Sequence, residues 1–150
     1  MAIRIQTEPF DPGQESNRFL EASVGAGAAV TFTGLVRSDP RDPLTALTLE
    51  CYPELAVNQI GGIEAKAVAR FGLLRATIIH RYGRLLPGEP IVQVMTLAPH
   101  RRAAFEAAEY LMDYLKTDAP FWKREATSSG DHWVEHNNED DRAKTRWEQQ

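Results

Sequence analysis

The sequence contains a single cysteine, Cys51, so no disulfide can form within the chain. A chain without disulfides suits a reducing compartment. No stretch approaches the roughly 20 consecutive apolar residues that a membrane-spanning helix needs. Residues 1–5 also lack the apolar run and small-residue cleavage site of a signal peptide. We therefore expect a cytoplasmic protein that does not act in a membrane.

Several common catalytic motifs are also missing from the sequence. It has no phosphate-binding P-loop, no Cys-x-x-Cys pair and no Gly-x-Ser-x-Gly nucleophile elbow. The glycines Gly25 and Gly27 do not form a dinucleotide-binding fingerprint, because Val30 occupies the third glycine position and a predicted helix precedes them. These absences argue against nucleotide-dependent and thiol redox chemistry.

The charge of the chain is small overall but unevenly distributed. The net charge is −4, yet residues 75–124 carry eight basic and five acidic side chains. An acidic protein with a moderately basic middle is not typical of general nucleic-acid binders. Such a segment is better suited to holding a small anion.

Hydrophobic periodicity and turn residues predict an α+β protein. The predicted strands cover residues 28–37, 44–52, 77–82 and 91–98, and the predicted helices cover about 12–24, 53–71 and 101–115. Pro120 separates a further segment, residues 121–125, from the last of these helices. We expect one domain over residues 1–150, with one mixed or antiparallel sheet and helices on one face. The polar residues from Asn137 onward suggest a frayed helix or a flexible tail at about 136–150.

Basic residues flank the strongest predicted helix at both ends. His100 and Arg101 stand at its start, where free backbone N–H groups and the helix dipole favour an anion. Lys116 stands near its end, and Lys123 and Arg124 follow Pro120. The two ends are separated by roughly 22 Å. One small ligand could contact both ends only if the chain folds back or two copies combine, and surface lysines and arginines are often merely solvated.

Three other candidates remain open on residue type alone. Arg37 follows an apolar strand, where functional groups often lie, although residue type alone favours an ordinary surface arginine. Cys51 could carry sulfur, although no neighbouring histidine or basic residue would activate it, which favours a small buried side chain. His132, Glu135 and His136 match the H-x-x-E-H pattern of a zinc hydrolase, but the short flanks argue against the long helix that this motif requires.

Residues 98–125 read A-P-H-R-R-A-A-F-E-A-A-E-Y-L-M-D-Y-L-K-T-D-A-P-F-W-K-R-E. This run closely resembles the signature of the large, catalytic subunit of molybdopterin synthase. Four further stretches agree in the same order: T-F-T-G-L-V-R at 31–37, L-T-L-E-C-Y-P at 47–53, I-I-H-R-Y-G-R-L-L-P-G-E at 78–89 and G-D-H-W-V-E at 130–135. The resemblance covers most of the chain and is far more specific than any short motif.

The resemblance implies an α/β hammerhead fold and a homodimer at the core of a heterotetramer. It also implies a partner, a small ubiquitin-like sulfur carrier whose C-terminal Gly-Gly tail ends in a thiocarboxylate. The implied substrate is cyclic pyranopterin monophosphate, which receives two sulfurs to give the molybdopterin dithiolene. The implied reaction is a sulfur transfer in molybdenum cofactor biosynthesis that needs neither metal nor nucleotide cofactor.

The resemblance also assigns roles to individual residues. It makes Lys116 and Lys123 the catalytic lysines and implies the following substrate contacts: Leu35, Val36, Arg37, His100, Arg101, Lys116, Lys123, Arg124 and Glu125. Leu35 departs from the lysine often present in that position, and the proline-rich loop at 38–43 lacks the asparagine and histidine expected after Arg37. A non-catalytic docking module for a ubiquitin-like protein is the alternative, but docking alone requires no cations for a substrate.

Overall fold

The structure, a computed structural model, describes residues 2–118, 120–134 and 138–148. In this part of the chain the strands are β1 Ala2–Gln6, β2 Ala28–Leu35, β3 Leu44–Glu50, β4 Arg75–Arg81, β5 Gly83–Leu85, β6 Pro90–Ala98, β7 Trp122–Thr127 and β8 Gly130–Trp133. The helices are α1 Pro12–Phe19, α2 Pro53–Phe71, α3 Arg101–Thr117 and α4 Asn138–Glu148. The α+β class expected from the sequence is confirmed.

The strands form two four-stranded sheets rather than the single sheet that we expected. The first sheet has the order β1-β4-β6-β2, in which β1 is parallel to β4 and the other pairs are antiparallel. The second sheet, β5-β3-β7-β8, is antiparallel throughout. The expectation was wrong because β2 and β3, although neighbours in the chain, pair with β6 and β7 instead of each other.

Helices cover both faces of the first sheet, which corrects the prediction of a one-sided arrangement. On one face, residues of α2 and α3 such as Ile60 and Leu111 pack with Ile78 and Val94 of the sheet. On the other face, a smaller cluster forms around Phe19 of α1. Alternate residues of β4 and β6 therefore enter different clusters, as the twofold alternation of strand side chains requires.

Local signals explain where two of the helices begin or end. Helix α1 begins after Asp11, whose Oδ1 accepts hydrogen bonds from the backbone N–H groups of Gly13 and Gln14 at 2.9 and 3.2 Å. It ends at Phe19, earlier than predicted. Helix α2 ends at Phe71 and is capped by Gly72, which adopts the left-handed conformation with φ of 63° at little steric cost.

The C-terminal segment contains a helix that packs on α2 and α3. Trp147 of α4 is buried, and its indole contacts the rings of Phe71 and Tyr110. Its Nε1 donates a hydrogen bond to Asp113 of α3 at 2.6 Å. By contrast, Trp122 and Trp133 in the second sheet are 49% and 55% exposed. The sequence left open a frayed helix or a flexible tail in this segment. In the structure, residues 138–148 form a helix.

One carboxylate among the described residues is completely buried. Glu64 of α2 is fully buried, and neither of its carboxylate oxygens has a hydrogen-bond partner among the described residues. Burial raises the pKa of Glu64 to about 7, because a charge is poorly solvated away from water.

Among the helices of the described residues, none combines the length and the apolar composition that a membrane span requires.

Candidate functional site

Lys116 and Lys123 line the same cavity. Lys116 lies in the last turn of α3, and the chain leaves that helix through Pro120 to enter β7, where Lys123 pairs with Leu49 of β3. The cavity has a volume of about 80 Å³. Its lining residues are Leu49, His80, Ile91, Val92, Met112, Leu115, Lys116, Phe121 and Lys123. Two cations thus share a small, otherwise largely apolar space.

Burial makes the two lysines chemically different. Lys116 is exposed, whereas Lys123 is partly buried. Burial lowers the pKa of Lys123, and the positive charge of Lys116 acts in the same direction against weaker opposition from Asp140 and Glu125. Lys123 therefore gives up its proton more readily than a fully solvated lysine would.

A histidine that the sequence analysis did not select forms part of the same cavity. His80 lies on β4, is 8% exposed and stacks on Phe121 with ring centroids 4.0 Å apart. Burial lowers the pKa of His80 to about 4, and the charges of Lys123 and Lys116 contribute. In the sequence, His80 lies two residues after Ile78 and so shares a strand face with it. That position is typical of an ordinary core residue, so nothing in the sequence pointed to a functional histidine.

A second, wider pocket lies next to the lysine cavity. It has a volume of about 430 Å³ and is lined by Arg37, Asp39, Arg41, Asp42, Leu44, Glu125 and Thr127. Lys123 and Glu125 are two residues apart on β7, so their side chains emerge on the same face about 7 Å apart along the strand. Arg37 therefore lines a pocket whose wall on β7 continues the face that carries Lys123.

Three charged side chains of this wider pocket already have partners. Arg41 forms an ion pair with Asp39 at 2.9 Å. Asp42 accepts hydrogen bonds from the hydroxyls of Ser128 and Ser129 at 2.8 and 2.9 Å. These contacts tie the loop at 38–43, next to Arg37, to itself and to the turn after β7.

The neighbours of Arg37 have different surroundings. Leu35 is 59% exposed, whereas Val36 is buried in the core of the second sheet. The backbone N–H of Val36 donates to Glu89 at 2.9 Å, and its carbonyl accepts from Gly88 at 2.8 Å. The structure thus places Val36 where it anchors the position of Arg37.

The neighbours of Lys123 also divide between two faces of β7. Arg124 points away from Lys123, and its guanidinium lies 5.8 Å from the ring centre of Trp133. Glu125 shares the lysine face and lies 3.7 Å from His132. Of the residues that the resemblance assigns on β7, Lys123 and Glu125 therefore share one face and Arg124 does not.

His100 and Arg101 are not part of the lysine cavity. Both are exposed at the start of α3, and 15 residues of helix place Arg101 about 22 Å from Lys116. After Pro120 the chain pairs with β3 and β8 instead of returning along α3. Within one copy of the chain, His100 and Arg101 therefore lie far from Lys116 and Lys123.

The structure gives little support to the two remaining candidates. His132 is exposed on β8, while Glu135 and His136 lie outside the described residues. Within the described ranges, no group of three His, Cys, Asp or Glu side chains could hold a metal ion.

Cys51 packs against the main core, as a small apolar side chain would. Burial raises the pKa of its thiol.

Comparison with known proteins places the chain in a family. The model of the MoaE protein family matches residues 5–118. The chain is 50% identical to the molybdopterin synthase catalytic subunit of Pseudomonas aeruginosa, covering 99% of this chain and 100% of that one. It is 49% identical to the subunit of the same name from Cereibacter sphaeroides, covering 98% and 100%.

A solved structure agrees with this assignment over nearly the whole length. The molybdopterin biosynthesis MoaE protein from Burkholderia ambifaria superimposes with a TM-score of 0.83 and 44% identity, covering 99% of each chain. The sequence and structural comparisons thus coincide, and this chain belongs to the MoaE protein family.

Proposed function

We propose that this chain is the catalytic subunit of a molybdopterin synthase and acts as a sulfurtransferase. The observation that carries the proposal is the pair Lys116 and Lys123 in one cavity. The relatives that match almost all of the chain are named molybdopterin synthase catalytic subunit. The donor would be the C-terminal thiocarboxylate of a small ubiquitin-like carrier, and the acceptor would be cyclic pyranopterin monophosphate.

The size of the lysine cavity supports a chain terminus as its occupant. A volume of about 80 Å³ is well below the roughly 300–1,000 Å³ of pockets that enclose small-molecule ligands. A narrow space can still admit the end of an extended chain that lacks side chains, such as a Gly-Gly tail. The cations of Lys116 and Lys123 would hold the anionic thiocarboxylate at the end of that tail.

The size and lining of the wider pocket suit it to hold the pterin. Its volume of about 430 Å³ falls within the usual range for a small ligand. Arg37 offers a guanidinium that can bind two oxygens of an anionic or carbonyl group. A pterin placed there would lie beside Lys123, next to the carrier tail.

The two lysines are suited to complementary steps of sulfur transfer. The exposed Lys116 ammonium would neutralise the thiocarboxylate as its sulfur bonds to a carbon of the pterin. Water would then cleave the bond between that sulfur and the carrier's carbonyl carbon, and the carrier would leave as a carboxylate. The Nζ atom of Lys123, whose pKa is lowered by burial, would release and take up the proton that moves as the cyclic phosphate opens. Arg37 would hold the substrate in the position that this transfer requires.

The separation of the two ends of α3 supports a site shared by two copies of the chain. His100 and Arg101 can reach a ligand in the lysine cavity only if a second copy supplies them. Near the start of α3, the edge strand β2 exposes Phe32 and the helix exposes Phe105, at 41% and 61%. An apolar surface of this kind is typical of self-association, so we propose a homodimer in which each copy binds one carrier.

The test of the proposed function is reconstitution. The purified chain is mixed with a thiocarboxylated carrier and cyclic pyranopterin monophosphate, and molybdopterin is followed as its fluorescent oxidation product. We expect product only when all three components are present. Carrier binding without product would favour the docking-module alternative, and neither binding nor product would contradict both.

The shared site predicts complementation between two inactive variants. Lys116→Ala and Arg101→Ala chains, each inactive alone, are allowed to exchange subunits and are assayed together. Half of the dimers formed by random exchange are mixed, and each mixed dimer holds one intact site, so product should reach about a quarter of the native rate. If each site were built from one chain, the mixture would stay as inactive as its components.

A further inference from the structure

The lining of the wider pocket contains more negative than positive charge. Two arginines and three acidic residues contribute their charged groups to it: Arg37, Arg41, Asp39, Asp42 and Glu125. Carboxyl groups of this kind are ionised at neutral pH, since their ordinary pKa values lie near 4. An excess of carboxylates is unexpected in a pocket proposed to hold a phosphate ester, so it needs a physical reason.

The carboxylates of the pocket differ in their nearest partners. Asp39 forms an ion pair with the guanidinium of Arg41 at 2.9 Å. Glu125 lies 3.7 Å from an imidazole nitrogen of β8. Asp42, in contrast, forms no ion pair with any residue that the structure describes, and its partners are hydroxyl groups. Its negative charge is therefore the one that no cation in direct contact offsets.

Two serine hydroxyls hold the Asp42 carboxylate in place. Its oxygens accept hydrogen bonds from Oγ of Ser128 and Oγ of Ser129 at 2.8 and 2.9 Å. The backbone N–H of Asp42 donates to the carbonyl oxygen of Asp39 at 3.0 Å. The hydroxyl bonds lower the pKa of Asp42, and neutral donors leave its negative charge in full. Asp42 is thus a fixed, half-buried anion in the wall of the pocket.

The proposed reaction changes the charge of the molecule that would occupy this pocket. A cyclic phosphate is a diester and carries one negative charge. Opening the ring breaks one of its two ester linkages, so the phosphate stays on the pterin as a monoester with a second acidic oxygen. Because the second pKa of a phosphate monoester is about 6, the product carries between about 1.5 and 2 negative charges at neutral pH. The product is therefore the more negative of the two ligands.

We propose that Asp42 is a specificity-determining residue whose fixed charge repels the ring-opened monoester more than the cyclic diester and so promotes product release. The identity of the two ligands rests on the proposed function. A round pocket of about 430 Å³ is roughly 9 Å across, which is comparable to the screening length at physiological salt. A phosphate in the pocket thus feels the charge of Asp42, and a dianion feels it twice as strongly as a monoanion.

The cations that face the pocket attract both ligands, and the dianion more strongly. Arg37 contributes from the same chain, and His100 and Arg101 would contribute from a second copy. These groups stay in place when only the charge of Asp42 is removed. A change in the ratio of the two affinities in an Asp42 variant therefore measures the contribution of that carboxylate.

Three substitutions separate the charge of Asp42 from its hydrogen bonds and from the net charge of the chain. Asp42→Asn removes the charge but keeps an oxygen that can accept from a serine hydroxyl. Asp42→Glu keeps the charge but changes the geometry of those hydrogen bonds. Asp131→Asn is the matched control. Asp131 pairs with Ala126 of β7, so it lies on the opposite face of the second sheet from Glu125 of the pocket.

The experiment measures the affinity of each chain for two ligands by isothermal titration calorimetry without the carrier. The ligands are cyclic pyranopterin monophosphate and the ring-opened pterin phosphomonoester obtained by oxidising molybdopterin. Asp42→Asn should bind the monoester about 3- to 10-fold more tightly relative to the diester, as expected for one charge across a solvated pocket. Asp42→Glu and Asp131→Asn should keep the native ratio. Inhibition of product formation by added monoester should strengthen in Asp42→Asn by the same factor.

Two results would overturn the role of Asp42 alone. One is a native ratio of the two affinities in Asp42→Asn. The other is an equal loss of affinity for both ligands in Asp42→Asn and Asp42→Glu together with a lower melting temperature, which would make Asp42 only a tie between the loop and the turn after β7. A native chain that binds neither ligand would instead contradict the proposed substrate, and the role of Asp42 with it.

Discussion

Replacing Lys116 by alanine should abolish measurable product formation while leaving the protein folded. Lys116 is exposed in the last turn of α3, and alanine is a strong helix former, so the fold loses little. The reaction, in contrast, loses the cation that meets the thiocarboxylate. Removing such a group costs about 10² to 10⁴ in rate. The reconstitution assay measures the rate, and thermal unfolding followed by circular dichroism measures the fold.

A matched control is available on the neighbouring helix. Lys66 is an exposed lysine of α2 and is not among the residues that line the cavity. Lys66→Ala should keep both the native rate and the native melting temperature. A large fall in melting temperature for Lys116→Ala would instead show a structural lysine, and a native rate would remove Lys116 from the proposed mechanism.

Replacing Glu64 by methionine should stabilise the protein at alkaline pH. Burial raises the pKa of Glu64 from 4.5 to about 7 in the folded state. Between these values the unfolded chain ionises first, so the native protein loses stability as the pH rises. Above about pH 7 the buried charge lowers the free energy of unfolding by its full amount, up to about 3 kcal/mol at 1.36 kcal/mol per pKa unit. Methionine removes the carboxylate and keeps a similar volume.

Denaturant unfolding at pH 5 and pH 8 tests this expectation. The native chain should be less stable at pH 8 than at pH 5, and Glu64→Met should lose most of that difference. Glu54→Gln, an exposed change on the same helix, should retain it. If Glu64→Met were less stable than the native chain at both pH values, the carboxyl would have a stabilising partner and the argument would fail.

The helices and strands whose apolar residues recur at a clear spacing were predictable from the sequence. Helices α2 and α3 and strands β2, β3, β4 and β6 appear at the predicted places, with ends that differ by a few residues. The strands β1 and β5 were missed, because five and three residues carry too little alternation to be recognised. The second sheet was missed because Leu49 pairs with Lys123, far away in the chain.

The candidate site was predictable only through the resemblance. The spacing of Lys116 and Lys123 shows neither that they meet nor that they share a cavity, since Pro120 leaves the direction of the chain open. The pairing of β7 with β3 brings them together. His80 was missed because a buried histidine on an apolar strand looks like a core residue. The functional roles assigned to Lys116 and Lys123 stay predictions.

The three tryptophans give the molecule separate optical reporters. Trp147 of α4 is buried against α2 and α3, whereas Trp122 and Trp133 are about half exposed in the second sheet. Trp122 precedes Lys123 on β7 and is thus one residue away from the lining of the lysine cavity. A carrier that docks there would shield the red-shifted emission of Trp122 from a soluble quencher and leave the blue-shifted emission of Trp147 unchanged. Partner binding and loosening of the C-terminal helix can thus be followed in one sample without any attached dye.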